Sequence, residues 1–245
     1  MAVRKGVGCV AVSLVLFSFV FACQGGVNDV LNQVAKELQT SQGLSLGDIV
    51  AGLKEALQVG TENTVNITSK LNGYYNNPQI KIPLPENVRK VEDLLRMAGL
   101  GDQVTAFEKS MNRAAERAAP AAKELFFGAI KQMTFADAKK ILNGGENEAT
   151  LYFKSKTYTP LTQRFEPLVH GAMSEVGVTR YYQNLEKKIR VLPVKGLLDF
   201  NLDQYVTSKA LDGLFYMLAQ EEAKIRRDPA ARVTDLLKRV FSSAK

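Results

Sequence analysis

Glu221 and Glu222 are the carboxylates best placed for acid–base chemistry. Met217 and Leu218 lie one helical turn before them and Ile225 one turn after, so both continue an apolar stripe. A carboxyl there is expected to be partly buried, and burial without a partner raises its pKa. Glu222 also stands four residues before Arg226, the spacing of a helix salt bridge, and this structural use is the expectation. Asn112, Arg113 and Glu116 form a second polar group in the string NRAAER. If Val104 and Phe107 define a buried seam, these three lie away from it. A solvated or structural face with ordinary ion pairs is expected, with a polar pocket of Asn112, Arg113 and Glu116 as the functional alternative.

His170 is the single histidine, and Glu166 and Ser174 flank it one turn to either side. Three groups in line along one helix make a poor hydrolase, because nucleophile, base and orienting group converge from separate segments. A surface or structural histidine is expected. One histidine and two cysteines, Cys9 and Cys23, build no zinc finger, iron–sulfur site or two-histidine centre, so neither metal nor cofactor is expected. The pair Gly144-Gly145 lacks the Lys-Ser/Thr that completes a phosphate loop and reads as a helix stop.

Cys23 carries a different chemistry. Arg4 and Lys5 precede an uncharged run of seventeen residues, Gly6–Ala22, the pattern of a secretory signal over residues 1–22. Val20-Phe21-Ala22-Cys23 resembles the bacterial lipobox, although Phe21 stands where a small residue is usual. Cleavage before Cys23 removes Cys9 and leaves one thiol at the new N-terminus, which acylation would occupy. Residues 23–26 would then be the lipidated cysteine and a glycine spacer. Gln24 after the cysteine resembles the sorting pattern for the outer membrane of enteric-type bacteria.

The chain has 245 residues, 46% hydrophobic and 23% charged, as in ordinary globular proteins. Its formal charge of +7 falls to +5 without Arg4 and Lys5. Lys224, Arg226, Arg227, Arg232, Lys238, Arg239 and Lys245, against Asp228 and Asp235, carry all of that excess. Cys23–Glu222 is balanced. No basic–aromatic groove pattern appears, and nucleic acid is not an expected partner.

The elements that must position these residues are helical almost throughout. Val27–Gln39 reads as an amphipathic helix. Ser45-x-x-Asp48 opens another that runs to about Leu71, with a weak pattern over Val59–Asn66. Asn76-Asn77-Pro78 breaks it, and QIKIPLP (Gln79–Pro85) is an extended connector, expected to be packed rather than offered to a partner. Glu86–Ala98 reads as one helix. Asp102–Met133 repeats Val104, Met111, Ala118 and Leu125 every seven residues, with a kink expected at Pro120. Phe135–Leu142 follows a capping start at Thr134. Pro160 separates Glu146–Thr157 from Thr159–Val176; then come Val178–Ile189, Asn201–Arg227 and a basic amphipathic helix, Pro229–Lys245. That last helix is expected to dock on the core, or alternatively to lie on anionic lipid.

Several long strings resemble one family. They are GYYNNP (Gly73–Pro78) with IKIPLP after it, MNRAAERAAP (Met111–Pro120), MTFADAKKILNG (Met133–Gly144), EATLYF (Glu148–Phe153), LDGLFYMLAQEEAKIRRDP (Leu211–Pro229) and LLKRVF (Leu236–Phe241). The family is the bacterial domain of unknown function 4197. The resemblance implies an exported, mostly helical protein, often with a lipoprotein-type signal, and supplies no activity or catalytic residues.

The expectation is an all-α fold, a single irregular multi-helix bundle over residues 27–245 with one extended Pro-rich connector. It would be tethered to a membrane, on the periplasmic face of the outer membrane in a Gram-negative cell, and would act by binding an unidentified envelope protein. The alternative is an apolar-ligand or lipid carrier, its cavity lined from Phe107, Met111, Phe126, Leu214, Phe215 and Met217. The weakest alternative is a metal-free hydrolase using Glu221 or Glu222 with Asn112 and Arg113.

Overall fold

The computed structural model describes residues 46–175, 177–189, 201–228 and 238. The chain divides into two compact units, Met1–Leu46 and Gly47–Lys245, and the fold below is that of the second. The expected signal peptide, Cys23 and the helices expected at Val27–Gln39 and Pro229–Lys245 (Lys238 excepted) lie outside the described residues. The described residues are mostly helical, with no strand, and none of their helices is long and apolar enough to cross a membrane.

Helix α1 is Leu46–Thr68. It continues through the stretch whose pattern is weak, because the buried stripe there holds Gly60, Thr61, Thr64 and Val65 in place of large apolar residues. These small and branched side chains let another helix approach: a Cβ on Gly60 would sit 3.7 Å from Ile225. Residues 69–80 then form a run of tight turns, and Lys81–Pro85 is extended, with Ile80, Ile82 and Leu84 turned into the core. The connector is packed, as expected.

Glu86–Ala98 is not one helix. It divides into α2 (Glu86–Arg89), α3 (Glu92–Leu95) and a wide turn, Arg96–Leu100, containing Gly99 at φ +77°. Val88, Val91 and Leu95 are all buried. Their spacing reports which side faces the core, and a broken helix satisfies it as well as a continuous one. Helix α4 (Gly101–Ala118) buries Val104, Phe107, Met111, Ala114 and Ala118 on the seven-residue pattern. A tight turn at Ala119–Ala121 holds Pro120 and leads into α5, Ala122–Gln132, as the proline requires. Helix α6 (Phe135–Asn143) starts at a reciprocal cap. The Thr134 hydroxyl accepts from the Asp137 N–H, and the Asp137 carboxylate accepts from Thr134.

The two segments expected on either side of Pro160 are a single helix, α7, Glu148–Glu175, with Pro160 and Pro167 inside it. Each internal proline removes one backbone hydrogen bond, at a cost of about 3 kcal/mol. Ala149, Phe153, Thr157, Leu161, Phe165, Val169 and Met173 nevertheless form an unbroken buried stripe, and both prolines lie off it. Packing along 28 residues holds the helix together where local sequence would stop it. Helix α7 packs against α4, α5, α6, α8 (Val178–Ile189) and α9 (Leu202–Arg227). Asn201 caps α9, its side chain accepting from the Gln204 N–H at 2.9 Å. His170 meets Asp203 at one end of the α7–α9 pair and Thr150 meets Glu222 at the other, so the two helices run antiparallel.

Candidate functional site

Asn112 and Glu116 are not on a solvated face: they are 0% and 2% exposed. Both point from α4 at the segment between α1 and α2. The Asn112 amide donates to Ile82 O at 2.8 Å while its Oδ1 accepts from Ile82 N–H at 2.8 Å, so the side chain imitates a strand partner for the connector. One turn on, Glu116 accepts from the N–H groups of Asn72, Tyr74 and Tyr75 and from Arg113, which approaches to 2.6 Å. Asn72 has φ +64°, and backbone N–H groups gathered around such a residue form a concave anion site. A carboxylate from the protein itself fills it here. The candidate pocket of Asn112, Arg113 and Glu116 is therefore a clamp on residues 72–82. The seam through Val104 and Phe107 could not reveal it, because the clamp uses a second buried face of α4.

Tyr74 carries the same segment across to α9. Its ring is fully buried and its hydroxyl donates to Ala210 O at 2.7 Å. Gly213 makes room for it, since a Cβ there would lie 2.7 Å from the ring. Burial pushes the Tyr74 hydroxyl far above the ordinary tyrosine range, and the Glu116 charge adds to the shift. A raised folded-state pKa makes a contribution that is complete below the unfolded value, about pH 10, and lost as pH rises above it. Urea midpoints measured between about pH 9 and 11 should fall less steeply in Tyr74→Phe than in the wild type. At neutral pH the variant should cost about 1 kcal/mol for one lost hydrogen bond. Parallel pH profiles would show that Tyr74 does not carry the alkaline sensitivity.

Glu221 and Glu222 lie eleven and twelve residues beyond Ala210 on α9, about 17 Å along the helix, and share no partner with Glu116 among the described residues. The candidate polar residues Asn112, Arg113 and Glu116 and the candidates Glu221 and Glu222 thus form two separate structural clusters. Glu222 pairs with Arg226 at 2.8 Å, as its spacing predicts. It also accepts from the N–H groups of Ala149 and Thr150 and from the Thr150 hydroxyl, closing the N-terminus of α7. Glu221 accepts from the Asn63 amide at 2.8 Å.

The six residues nominated to line an apolar cavity belong to the core. Phe126 packs edge-on against Phe153 and Phe215, at 5.1 and 5.7 Å between ring centroids, and Phe107 packs against Tyr182. Met111 and Leu214 are fully buried, while Met217, partly buried, accepts from the Asn77 amide through its sulfur. Two cavities of about 20 Å³ lie against α1, α7 and α9 near Glu222, each with room for roughly one water. None of the six residues lines either.

A larger cleft opens between α7 and α9. It measures about 390 Å³ and is walled by Tyr158, Thr162 and Glu166 on α7 and by Asn201, Gln204, Thr207 and Ser208 at the start of α9. His170, beyond Glu166 on the same helix, is exposed and pairs through Nδ1 with Asp203 at 2.7 Å. Ser174 donates to the His170 carbonyl and stays out of any relay. Of the cleft residues, only Glu166 stood out in the sequence, as a neighbour of His170. The available signal was the four-residue recurrence Lys154, Tyr158, Thr162, Glu166, His170, a polar stripe along α7. No group of three or more His, Cys, Asp or Glu side chains arranged to hold a metal occurs among the described residues.

No curated protein and no solved structure matches the chain. Residues 43–242 match a family model described as protein of unknown function (DUF4197), which spans the turn clamped by Glu116, the Pro-rich connector and both walls of the cleft. The chain belongs to that family.

Proposed function

We propose that the protein is an envelope lipoprotein, tethered by acylation of Cys23, that works as a helical binding module and not by catalysis. The observation that carries the binding role is the contrast between its polar groups. The buried carboxylates Glu116, Glu221 and Glu222 are committed to structural hydrogen bonds. The Glu166 carboxylate, the Gln204 amide and the Ser208 hydroxyl line an open cleft with no side-chain partner among the described residues. Convergent uncommitted polar groups in a concave site are the ordinary mark of a binding pocket. The tether rests on the sequence around Cys23 alone.

Two measurements test the two halves. Labelled palmitate should enter the wild-type chain and not Cys23→Ala; equal label in both removes the tether. A photo-crosslinking residue placed at Gln204 in intact cells should give a discrete adduct by intact mass. The same residue at the exposed Lys139 of α6 should give none. Absence of an adduct at Gln204, or equal yields at both sites, overturns the binding role assigned to the cleft.

A further inference from the structure

Resting on that reading, we propose that the α7–α9 cleft binds a neutral, polyhydroxylated ligand of mono- to disaccharide size. The volume of about 390 Å³ falls within the range of small-molecule sites, roughly 300–1,000 Å³. The lining selects the chemistry. Thr162 already donates to the Tyr158 carbonyl, and Asn201 Oδ1 already accepts from Gln204 N–H. What remains is the Tyr158, Thr207 and Ser208 hydroxyls, the Gln204 amide, the Asn201 amino group and the Glu166 carboxylate. Most of these groups both donate and accept, as sugar hydroxyls do, and Glu166 adds a charged acceptor whose hydrogen bonds are the strongest available.

Other ligand classes fit less well. An anion would face Glu166 with no lysine or arginine among the described lining residues. A cation would find one carboxylate and no aromatic cage, because the Tyr158 ring is stacked on Phe215 and already faced by the Lys154 ammonium.

Thr207 is the second observation. Three helical threonines, Thr68, Thr157 and Thr162, return their hydroxyls to the carbonyl four residues back. The Thr207 hydroxyl has no partner although the residue is 2% exposed. Thr61 and Thr64 of α1 are also unpaired, but they do not wall the cleft. The contacts 170/203, 158/215 and 150/222 set a register that brings Glu166 level with Thr207. One ligand hydroxyl between them would give to the carboxylate and satisfy the threonine.

The test is calorimetric titration of the full chain with glucose, N-acetylglucosamine and maltose, with inorganic phosphate and methylammonium as anionic and cationic comparators. At least one saccharide should bind saturably and more tightly than either comparator. Glu166→Gln should weaken it about tenfold, the size of one charge-assisted hydrogen bond. Thr207→Val should weaken binding several-fold while leaving the melting temperature of the ligand-free protein unchanged or higher, because it deletes an unpaired buried hydroxyl. A merely structural Thr207 would lower stability and leave binding alone. No saturation by any saccharide up to about 50 mM, tighter binding of either comparator, or unchanged affinity in both variants overturns the proposal. A Gln204 adduct in cells without saccharide binding in vitro would remove this ligand class and leave the binding module standing.

Discussion

The Glu222→Leu variant is expected to lose about 3–5 kcal/mol of stability, the cost of breaking one partner out of a buried ion pair. Leucine keeps the volume and the apolar stripe of α9, so the loss reads the carboxylate. One oxygen of Glu222 accepts from Ala149 N–H at 2.9 Å and from Arg226 at 2.8 and 3.0 Å; the other accepts from Thr150 N–H and hydroxyl. Removing it leaves two N–H groups at the start of α7 unpaired and takes from the Arg226 guanidinium its two bonds to the carboxylate, with Ile141 O remaining as one of its acceptors. For a domain of this size the melting temperature should fall by roughly 10 °C. Urea denaturation followed by circular dichroism measures the change. Adding Arg226→Met should restore part of the loss, since it removes a part-buried cation that has lost its carboxylate, but not all, because the α7 amides stay unpaired. A single variant as stable as the wild type would mean that water replaces the carboxylate, and Glu222 would again be free for chemistry.

The fold was legible where its signals are local. The seven-residue repeat of α4, the bend at Pro120, the Thr134–Asp137 cap and the Asn201 start of α9 each depend on residues within one or two turns. The joined helix α7 was not, because the energy that carries it through Pro160 and Pro167 comes from α4 and α9, which are distant in sequence. The site followed the same division. The Glu222–Arg226 pair follows from its spacing, whereas the other partners of Glu222 lie more than seventy residues away. Asn112 and Glu116 carry no mark that separates them from surface residues, since what buries them is a turn 30 to 44 residues upstream. The cleft needed the antiparallel register of two helices. Only its α7 wall has a pattern in the sequence, and that pattern resembles any polar helix face.

The clamp on the turn and connector makes the second large prediction. Glu116→Ala should cost about 3–4 kcal/mol, because three backbone N–H groups lose a charged acceptor at a site where the residue itself is 2% exposed. Asn112→Leu should cost about 2–4 kcal/mol by stripping both Ile82 backbone groups. The two side chains sit one turn apart on α4 and hold successive pieces of one segment, so their losses should not add. Once the turn at 72–75 is released, Tyr74 withdraws from Ala210 and the connector loses the geometry that Asn112 recognises. The double variant should therefore fall short of the sum by about 1–2 kcal/mol. Hydrogen exchange locates the effect. In Glu116→Ala the amides of Tyr74 and Ile82 should lose protection together, while those of Phe153 and Leu161 in α7 keep theirs. Additive losses, or an Ile82 amide as protected as in the wild type, would mean that the turn and the connector are held independently. The long polar contacts of α4 would then be two separate anchors and not one clamp.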